Sequence, residues 1–126
     1  MNFIEVTAID GQTAHVVART VIRIRPGLTQ AGAKGLTRIE ISGAHYHTSA
    51  ALEDVFSALR DAEVTLVPLV DAAGHDIYAN ITAIGAIEDR TKRDPDDARG
   101  AVWIGGQRQT VRHTLEELRG LVTPKP

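Results

Sequence analysis

The sequence predicts an α+β fold made of two pseudo-symmetric ββββ(β)α repeats, with mainly antiparallel sheet and one helix per repeat. Two observations predict this fold. When the chain is aligned with itself at a shift of half its length, apolar positions, turn glycines and helix entries keep one register. Within each half, short segments of period-2 alternation precede one segment of helical periodicity. We therefore expect a single domain, 1–126, made of a tandem duplication with repeats 1–63 and 64–126.

The repeat extends along the chain without a gap. "FIEVTAIDGQ" (3–12) aligns with "LVPLVDAAGH" (66–75), and Gly11 falls on Gly74. Only the short segment 61–64 separates the first helix from the next strand. We therefore expect the two halves to pack as one body. The other aligned pairs are Val21–Ile84, Ile24–Ile87, Ile39–Val102, Ile41–Ile104, Gly43–Gly106, Leu52–Leu115, Glu53–Glu116 and Val55–Leu118.

Five strands and a helix are predicted for the first half. The Asp10–Gly11 dipeptide is a strong signal for a two-residue hairpin turn. The third strand is expected to place Ile22 and Ile24 on one face, with Val21, Arg23 and Arg25 on the other. The predicted strands are 3–9, 13–18, 20–26 and 36–42, with a hairpin turn and short strand in 43–48; a loop covers 27–35.

The first helix is predicted to begin at Thr48 or Ser49 and to run to residue 62. Its apolar stripe follows helical spacing and comprises Leu52, Val55, Phe56 and Leu59. In the second half, Thr114 and Glu117 fit a capping box at the start of the second helix. The strands expected there are 65–70, 76–81, 83–89, 101–106 and 108–112.

Two further segments of the second half are read as connections. Gly105 and Gly106 match no phosphate-binding glycine motif, so we interpret them as a hairpin turn. The loop 90–100 is charged and contains Pro95, and we expect it to be solvated and mobile. The two long loops at 26–36 and 89–100 are expected to be either lids or disordered connections.

Composition narrows the class of protein. The chain has 126 residues, 43% hydrophobic and 24% charged, which is typical of one globular domain. It has no cysteine, which excludes disulfides and thiolate sites and fits a reducing cytoplasm. No segment approaches the roughly 18 apolar residues of a membrane span, and a net charge of −2 argues against nucleic-acid binding on electrostatic grounds. No cofactor or catalytic motif is found, so we expect a non-enzyme without a cofactor.

The second half contains a hairpin around Gly74, an N-x-x-x-I segment from Asn80 to Ile84, further strands, and a V-R-x-[ST]-x-E-E-[VL] helix entry from Val111 to Leu118. This pattern is similar to that of the small flagellar-operon FlbD-type proteins and their phage relatives. The resemblance implies a fold more than an activity. The first half departs from it, with Val17, Ser49 and Ala51 in place of Asn80, Arg112 and Thr114. The residues that carry it are Gly74, Asn80, Ile84, Gly106, Val111, Arg112, Thr114, Glu116, Glu117 and Leu118.

Candidate binding residues lie near the second helix entry. Arg108, Thr110 and Arg112 share one strand face beside a helix N-terminus, which suits a phosphate or nucleotide. The alternative is that these arginines face water or pair with carboxylates of a neighbouring strand. His45 and His47 occupy the equivalent face of the first half, where we expect a ligand-facing or interfacial role. A metal site would need further ligands that no spacing supplies.

Trp103 lies between two inward residues, so we expect it on the outer face, with Arg23, Arg25 and Glu40 as neighbours. An outer-face tryptophan is commonly covered by a partner. We therefore expect a homo-oligomer.

Two functional hypotheses follow. The first is a non-catalytic oligomeric binder of an anionic, nucleotide-like molecule, as in phage anti-defence proteins that sequester such signals. The second is a protein-interaction or structural adaptor of flagellar or phage type without a small-molecule ligand. The binder hypothesis is preferred because its candidate residues cluster: Arg108, Arg112, Asn80 and Trp103, with His45 and His47.

Overall fold

The computed structural model describes residues 2–27 and 36–123, which contain ten strands and two α-helices. The elements of the first half are β1 (Phe3–Thr7), β2 (Thr13–Val17), β3 (Val21–Pro26), β4 (Thr37–Ile41), β5 (Ala44–Thr48) and α1 (Leu52–Asp61). Those of the second half are β6 (Leu66–Val70), β7 (Asp76–Asn80), β8 (Ile84–Asp89), β9 (Gly100–Ile104), β10 (Gln107–Val111) and α2 (Leu115–Val122). The predicted α+β class is confirmed.

Each strand of the second half begins and ends half a chain length after its counterpart in the first half. The starts of the two helices are separated by the same interval. The same shift relates two short 3₁₀ turns, Ala18–Thr20 and Ile81–Ala83. It also relates two isolated β-bridges, Ala8–Thr48 and Asp71–Val111. The chain therefore consists of two copies of one unit: a hairpin, a three-stranded meander and a helix.

The described strands form three antiparallel sheets. The first hairpin, β1–β2, is a two-stranded sheet, and the second meander forms a three-stranded sheet in the order β10-β9-β8. The remaining five strands follow the order β5-β4-β3-β7-β6. The second hairpin thus extends the first meander, and the β3–β7 ladder joins the two halves.

The described residues form two hydrophobic cores, each built mainly from one half. In each unit the hairpin packs against its own meander and helix, because the alternating strands present one apolar face each. Fully buried residues of the first core include Val21, Ile24, Ile39 and Leu59. Those of the second include Val102, Ile104, Val111 and Leu118.

The predicted facing of β3 is wrong at two positions, Val21 and Ile22. Val21 is buried in the first core with Ile24, whereas Ile22 packs against the second core. The ladder between β3 and β4 shifts between Val21 and Arg23, which marks a bulge. The extra residue of a bulge turns the side chains before it to the opposite face, which strict alternation does not foresee.

Helix starts and turns follow the sequence in part. The capping box of Thr114 and Glu117 is present at α2, as predicted. However, α1 begins at Leu52 after Ala51, later than predicted, and Thr48 ends β5 instead. The turns at 42–43 and 105–106 are hairpin turns, with positive φ angles at Gly43, Gly105 and Gly106. Gly105 and Gly106 therefore serve as a turn.

The loop after β8 folds back on the protein. Ala98 is fully buried, and the backbone of Arg99 donates to the carbonyl of Val111. The Asp94 carboxylate accepts a hydrogen bond from the backbone of Thr91. These contacts hold part of the loop against β10; its predicted mobility stays a prediction. The central part of the other predicted loop, 28–35, lies outside the described residues. No helix in the described ranges is long and apolar enough to cross a bilayer.

Candidate functional site

Six polar side chains line the outer face of the first meander, which we call the cationic face. They alternate with core residues along three adjacent strands, so antiparallel pairing places them side by side. On the β3–β4 ladder, Arg23 of β3 lies opposite Glu40 of β4, and Arg25 of β3 lies opposite Arg38 of β4. On β5 the neighbours of Glu40 and Arg38 are His45 and His47.

Arg23 and Glu40 form the buried centre of this face, with exposed fractions of 4% and 8%. Two guanidinium nitrogens of Arg23 donate to the Glu40 carboxylate at 2.7 and 2.9 Å. Burial raises the pKa of Glu40, but hydrogen bonding to Arg23 and the nearby positive charges outweigh it and lower the pKa overall. Arg23 also donates to the side chains of Gln107 and Gln109, which ties the face to the second half.

Arg25 and Arg38 carry charge that Glu40 does not neutralise. Arg25 Nε lies 3.0 Å from a Glu40 oxygen, and Arg38 Nε lies 3.7 Å from the other. The second distance is too long for a hydrogen bond. Asp71 of the second hairpin faces the same side chains, so three guanidinium charges against two carboxylates leave one positive charge. Burial, followed by the Arg23 charge, lowers the pKa of Arg25, although the Glu40 and Asp71 carboxylates oppose this shift.

The two histidines border this excess charge. Their rings meet edge to face with centroids 5.2 Å apart, and Arg38 Nη2 lies 3.5 Å from His45 Nδ1. Burial, then the His45 and Arg38 charges, lowers the pKa of His47, so its imidazole is neutral at neutral pH. Two buried atoms, Arg38 Nε and His47 Nε2, have no hydrogen-bond partner among the described residues. Such atoms are unusual in folded proteins and point to a missing partner.

A pocket of about 130 Å³ opens between Arg25 and Arg38 of the first half and the second hairpin. On the hairpin side, Asp71 and His75 lie with His75 Nδ1 3.4 Å from an Asp71 oxygen. Pro26 and Ile77 complete the lining. The pocket therefore joins two cationic side chains to a polar wall from the other repeat.

The sequence-predicted arginine of β10 is neutralised. All three guanidinium nitrogens of Arg108 donate to carboxylates: Nε to Glu88 at 2.8 Å, and Nη1 and Nη2 to Asp94 at 2.6 and 3.0 Å. These bonds raise the pKa of Arg108. Trp103 lies opposite Arg108 and donates its indole N–H to Glu88 at 3.0 Å. The alternative interpretation, pairing with neighbouring carboxylates, describes Arg108 in this structure.

Trp103 is separated from its expected neighbours. Its strand partners are Ala86 and Arg108 in the three-stranded sheet. By contrast, Arg23, Arg25 and Glu40 belong to the five-stranded sheet. Trp103 is nevertheless on the outer face, with an exposed fraction of 37%.

Asn80 and Arg112 make structural contacts. Asn80 is 3% exposed, and its amide donates to the carbonyls of Arg19 and Val21 while its oxygen accepts from Thr82. Arg112 is exposed and donates to the carbonyl of Ala72. The structure thus brings His45 and His47 beside uncompensated arginines, while the two predicted arginines lie elsewhere.

The sequence interpretation missed Arg25 and Arg38 as binding candidates. Strand alternation predicts both on outer faces, and their significance depends on the charges of the neighbouring strands taken together. The signal was available in "VIRIRP" and "LTRIEIS", which carry three outward arginines and one glutamate on consecutive strands. Summing those charges across the predicted pair identifies the cationic excess.

No protein-family model matches the chain, and no curated protein or solved structure matches it. The FlbD-type resemblance therefore stays a prediction. Within residues 2–27 and 36–123, no three histidine, aspartate or glutamate side chains are grouped closely enough to hold a metal ion.

Proposed function

We propose that this protein is a non-catalytic binder of an anionic, nucleotide-like small molecule, held on the cationic face of the first repeat. One observation carries the proposal: Arg25 and Arg38 face each other across paired strands, while Glu40 is already held by Arg23 through two hydrogen bonds. Directly opposed like charges destabilise a sheet. A bound anion removes that cost and supplies the acceptor that Arg38 Nε lacks.

The unpartnered atoms support a phosphate-like group at this position. Arg38 Nε is a donor without an acceptor, and a protonated His47 Nε2 would be another. An anion near both favours the protonated imidazole, so binding should strengthen as the pH falls toward the lowered pKa of His47. Asp71 and His75 on the opposite wall offer hydrogen bonds to polar groups of the same molecule.

This proposal keeps the predicted ligand class and moves its site. His45 and His47 stay within it, whereas Arg108, Arg112 and Asn80 are assigned to structural contacts. The protein is proposed to act in the cytoplasm as a homo-oligomer without a cofactor. A sequestering role, as in phage anti-defence sponges, requires only tight binding and no catalytic step.

A thermal-shift titration tests the proposal. Inorganic phosphate, pyrophosphate and adenine nucleotides are compared with sodium chloride at matched ionic strength. A ligand that binds only the folded state stabilises it by about 2.7 kcal/mol at a concentration of 100 Kd. We expect Arg25→Gln with Arg38→Gln to abolish the ligand-induced shift. Arg112→Gln, an exposed arginine of the second half, is the matched control and should retain it.

Two results would contradict the proposal. One is the absence of a shift with every phosphate compound beyond that of sodium chloride. The other is a shift that survives the Arg25 and Arg38 substitutions but disappears in the control. The first result favours the adaptor hypothesis, and the second returns the site to the end of β10.

A further inference from the structure

One strand pair, β3–β7, joins the two halves of the described structure. The duplication predicts an equivalent second pair. In the β3–β7 ladder, Arg23 lies opposite Ala79 and Ile24 opposite Tyr78. The shift that relates the two halves converts β3 into β8 and β7 into β2. The equivalent second ladder would therefore pair β8 with β2.

That second ladder is not formed within the chain. Among the described strands, β2 pairs with β1 alone and β8 pairs with β9 alone. Each therefore presents a row of unpaired backbone donors and acceptors along one edge, which is a template for another strand. The relation between the halves therefore leaves two complementary open edges, one on β2 and one on β8.

Side chains at the β3–β7 junction are more buried than their counterparts at the open edges of β8 and β2. Arg23 and Glu40 lie at the junction and are buried, but their counterparts Ala86 and Trp103 are exposed. Leu66 packs against the core of the first half, whereas its counterpart Phe3 is 52% exposed. Phe3 and Trp103 are two of the three exposed large hydrophobic residues in the described ranges. The open edges thus expose the apolar surface that the junction covers.

Side-chain sizes are complementary across the open edges as well. At the junction, Ile22 packs over Gly105, where a Cβ atom would lie 2.7 Å from Ile22 Cγ2. The counterparts are Gly85, which has open space around it, and Ser42. At the junction a large side chain, Ile22, packs on a glycine; at the open edges a glycine, Gly85, would face a serine, Ser42. The strands can therefore approach equally closely at the open edges. Charge is replaced by apolar surface too, since Ala86 stands in the place of Arg23.

We infer that β2 of one copy pairs antiparallel with β8 of a second copy of this chain. The shift between the halves gives the register of this pairing as Val16 opposite Ala86 and His15 opposite Ile87. The contact buries Phe3 and Trp103 between copies. It is head-to-tail, so each copy keeps one free edge until a ring closes. This inference is independent of the anion site, because Arg25 and Arg38 lie on the five-stranded sheet, which contains neither β2 nor β8.

Sedimentation velocity with two matched variants tests the pairing. The monomer is 13.6 kDa, and we expect the wild type to sediment at twice that mass or more. Phe3→Asp should reduce the mass to that of the monomer. Ile9→Asp changes another exposed apolar residue of the same hairpin and should leave the assembly intact. A monomeric wild type at the highest soluble concentration, or an assembly unchanged in Phe3→Asp, overturns the inference.

Cross-linking tests the register directly, because the chain has no cysteine. One protein carries His15→Cys and another carries Ile87→Cys. Under mild oxidation, their mixture should form a disulfide-linked heterodimer faster than either protein alone forms a homodimer. If the mixture cross-links no faster than the separate proteins, the strands do not meet in this register. This result is independent of phosphate binding, so it separates failure of the pairing from failure of the proposed function.

Discussion

Arg25 lies directly opposite Arg38 on the β3–β4 ladder, and the nearest carboxylate, Glu40, is bound to Arg23 through two hydrogen bonds. In the ligand-free protein this arrangement costs stability, since like charges on opposed strand positions repel. Binding sites often retain such a cost because relieving it contributes to affinity. The same pair therefore links the stability of the protein to its proposed ligand.

Removing one of the opposed charges should stabilise the ligand-free protein. We expect Arg38→Gln to raise the free energy of unfolding by up to about 1 kcal/mol at low salt. Added salt should reduce the gain, because it screens the repulsion. Urea denaturation at two ionic strengths measures both effects. A clear loss of stability in Arg38→Gln would show that the arginine pair is not a repulsive contact.

Arg108 should behave in the opposite way, because it is paired with two carboxylates. Its hydrogen bonds, together with the Thr91 backbone, hold the pKa of Asp94 below its ordinary value of 3.8. A carboxyl group with a lowered pKa in the folded state stabilises the fold above its ordinary pKa, and this contribution disappears as the pH falls through the lowered value. Arg108→Gln should therefore destabilise the protein at neutral pH.

The pH dependence distinguishes this ion pair from a packing effect. The difference in unfolding free energy between the wild type and Arg108→Gln should shrink as Asp94 becomes protonated below its ordinary pKa. Denaturation curves at a series of pH values check this. A difference that stays constant from neutral to acidic pH would assign the loss to packing instead.

Asn80 should matter for stability and not for ligand binding. Its buried amide donates to the carbonyls of Arg19 and Val21 across the junction between the halves. Asn80→Val introduces the residue found at the equivalent position, Val17. It removes the two amide hydrogen bonds and the two that the Asn80 oxygen accepts from Thr82, and should cost at least about 2 kcal/mol. Chemical denaturation measures the loss. The ligand-induced thermal shift should be unchanged; its disappearance in a folded variant would make Asn80 a ligand contact.

Gly105 and Gly106 provide a matched pair of substitutions. Both have positive φ angles, so alanine is strained at either position. Only at Gly105 would the new Cβ meet Ile22, at 2.7 Å, whereas Gly106 has open space. We expect Gly105→Ala to cost about 1 to 3 kcal/mol more than Gly106→Ala through overpacking.

A double-mutant cycle checks the origin of that difference. If the clash with Ile22 is responsible, Ile22→Ala should be less costly in the Gly105→Ala background than in the wild type. Additive effects of the two substitutions would place the strain elsewhere in the turn.

Local pattern by itself determined the repeating unit of this protein. Alternation, turn glycines and the Thr114–Glu117 capping box depend on residues close in sequence, so the strands and helices were predictable to within a few residues. Aligning the chain with itself added the equivalence of the two halves, and the structure confirms it element by element. Local pattern did not predict the bulge near Val21 or the late start of α1, because tertiary packing decides both.

Tertiary structure alone decided which charges are satisfied and which edges are joined. The partners of Arg108 come from β8 and from the loop after it, and the amide of Asn80 bonds to the other half. Such contacts depend on the folded positions of segments far apart in sequence, which no local periodicity specifies. For the same reason, the sequence placed Arg25 and Arg38 on outer faces, but only the β3–β4 ladder set them against each other.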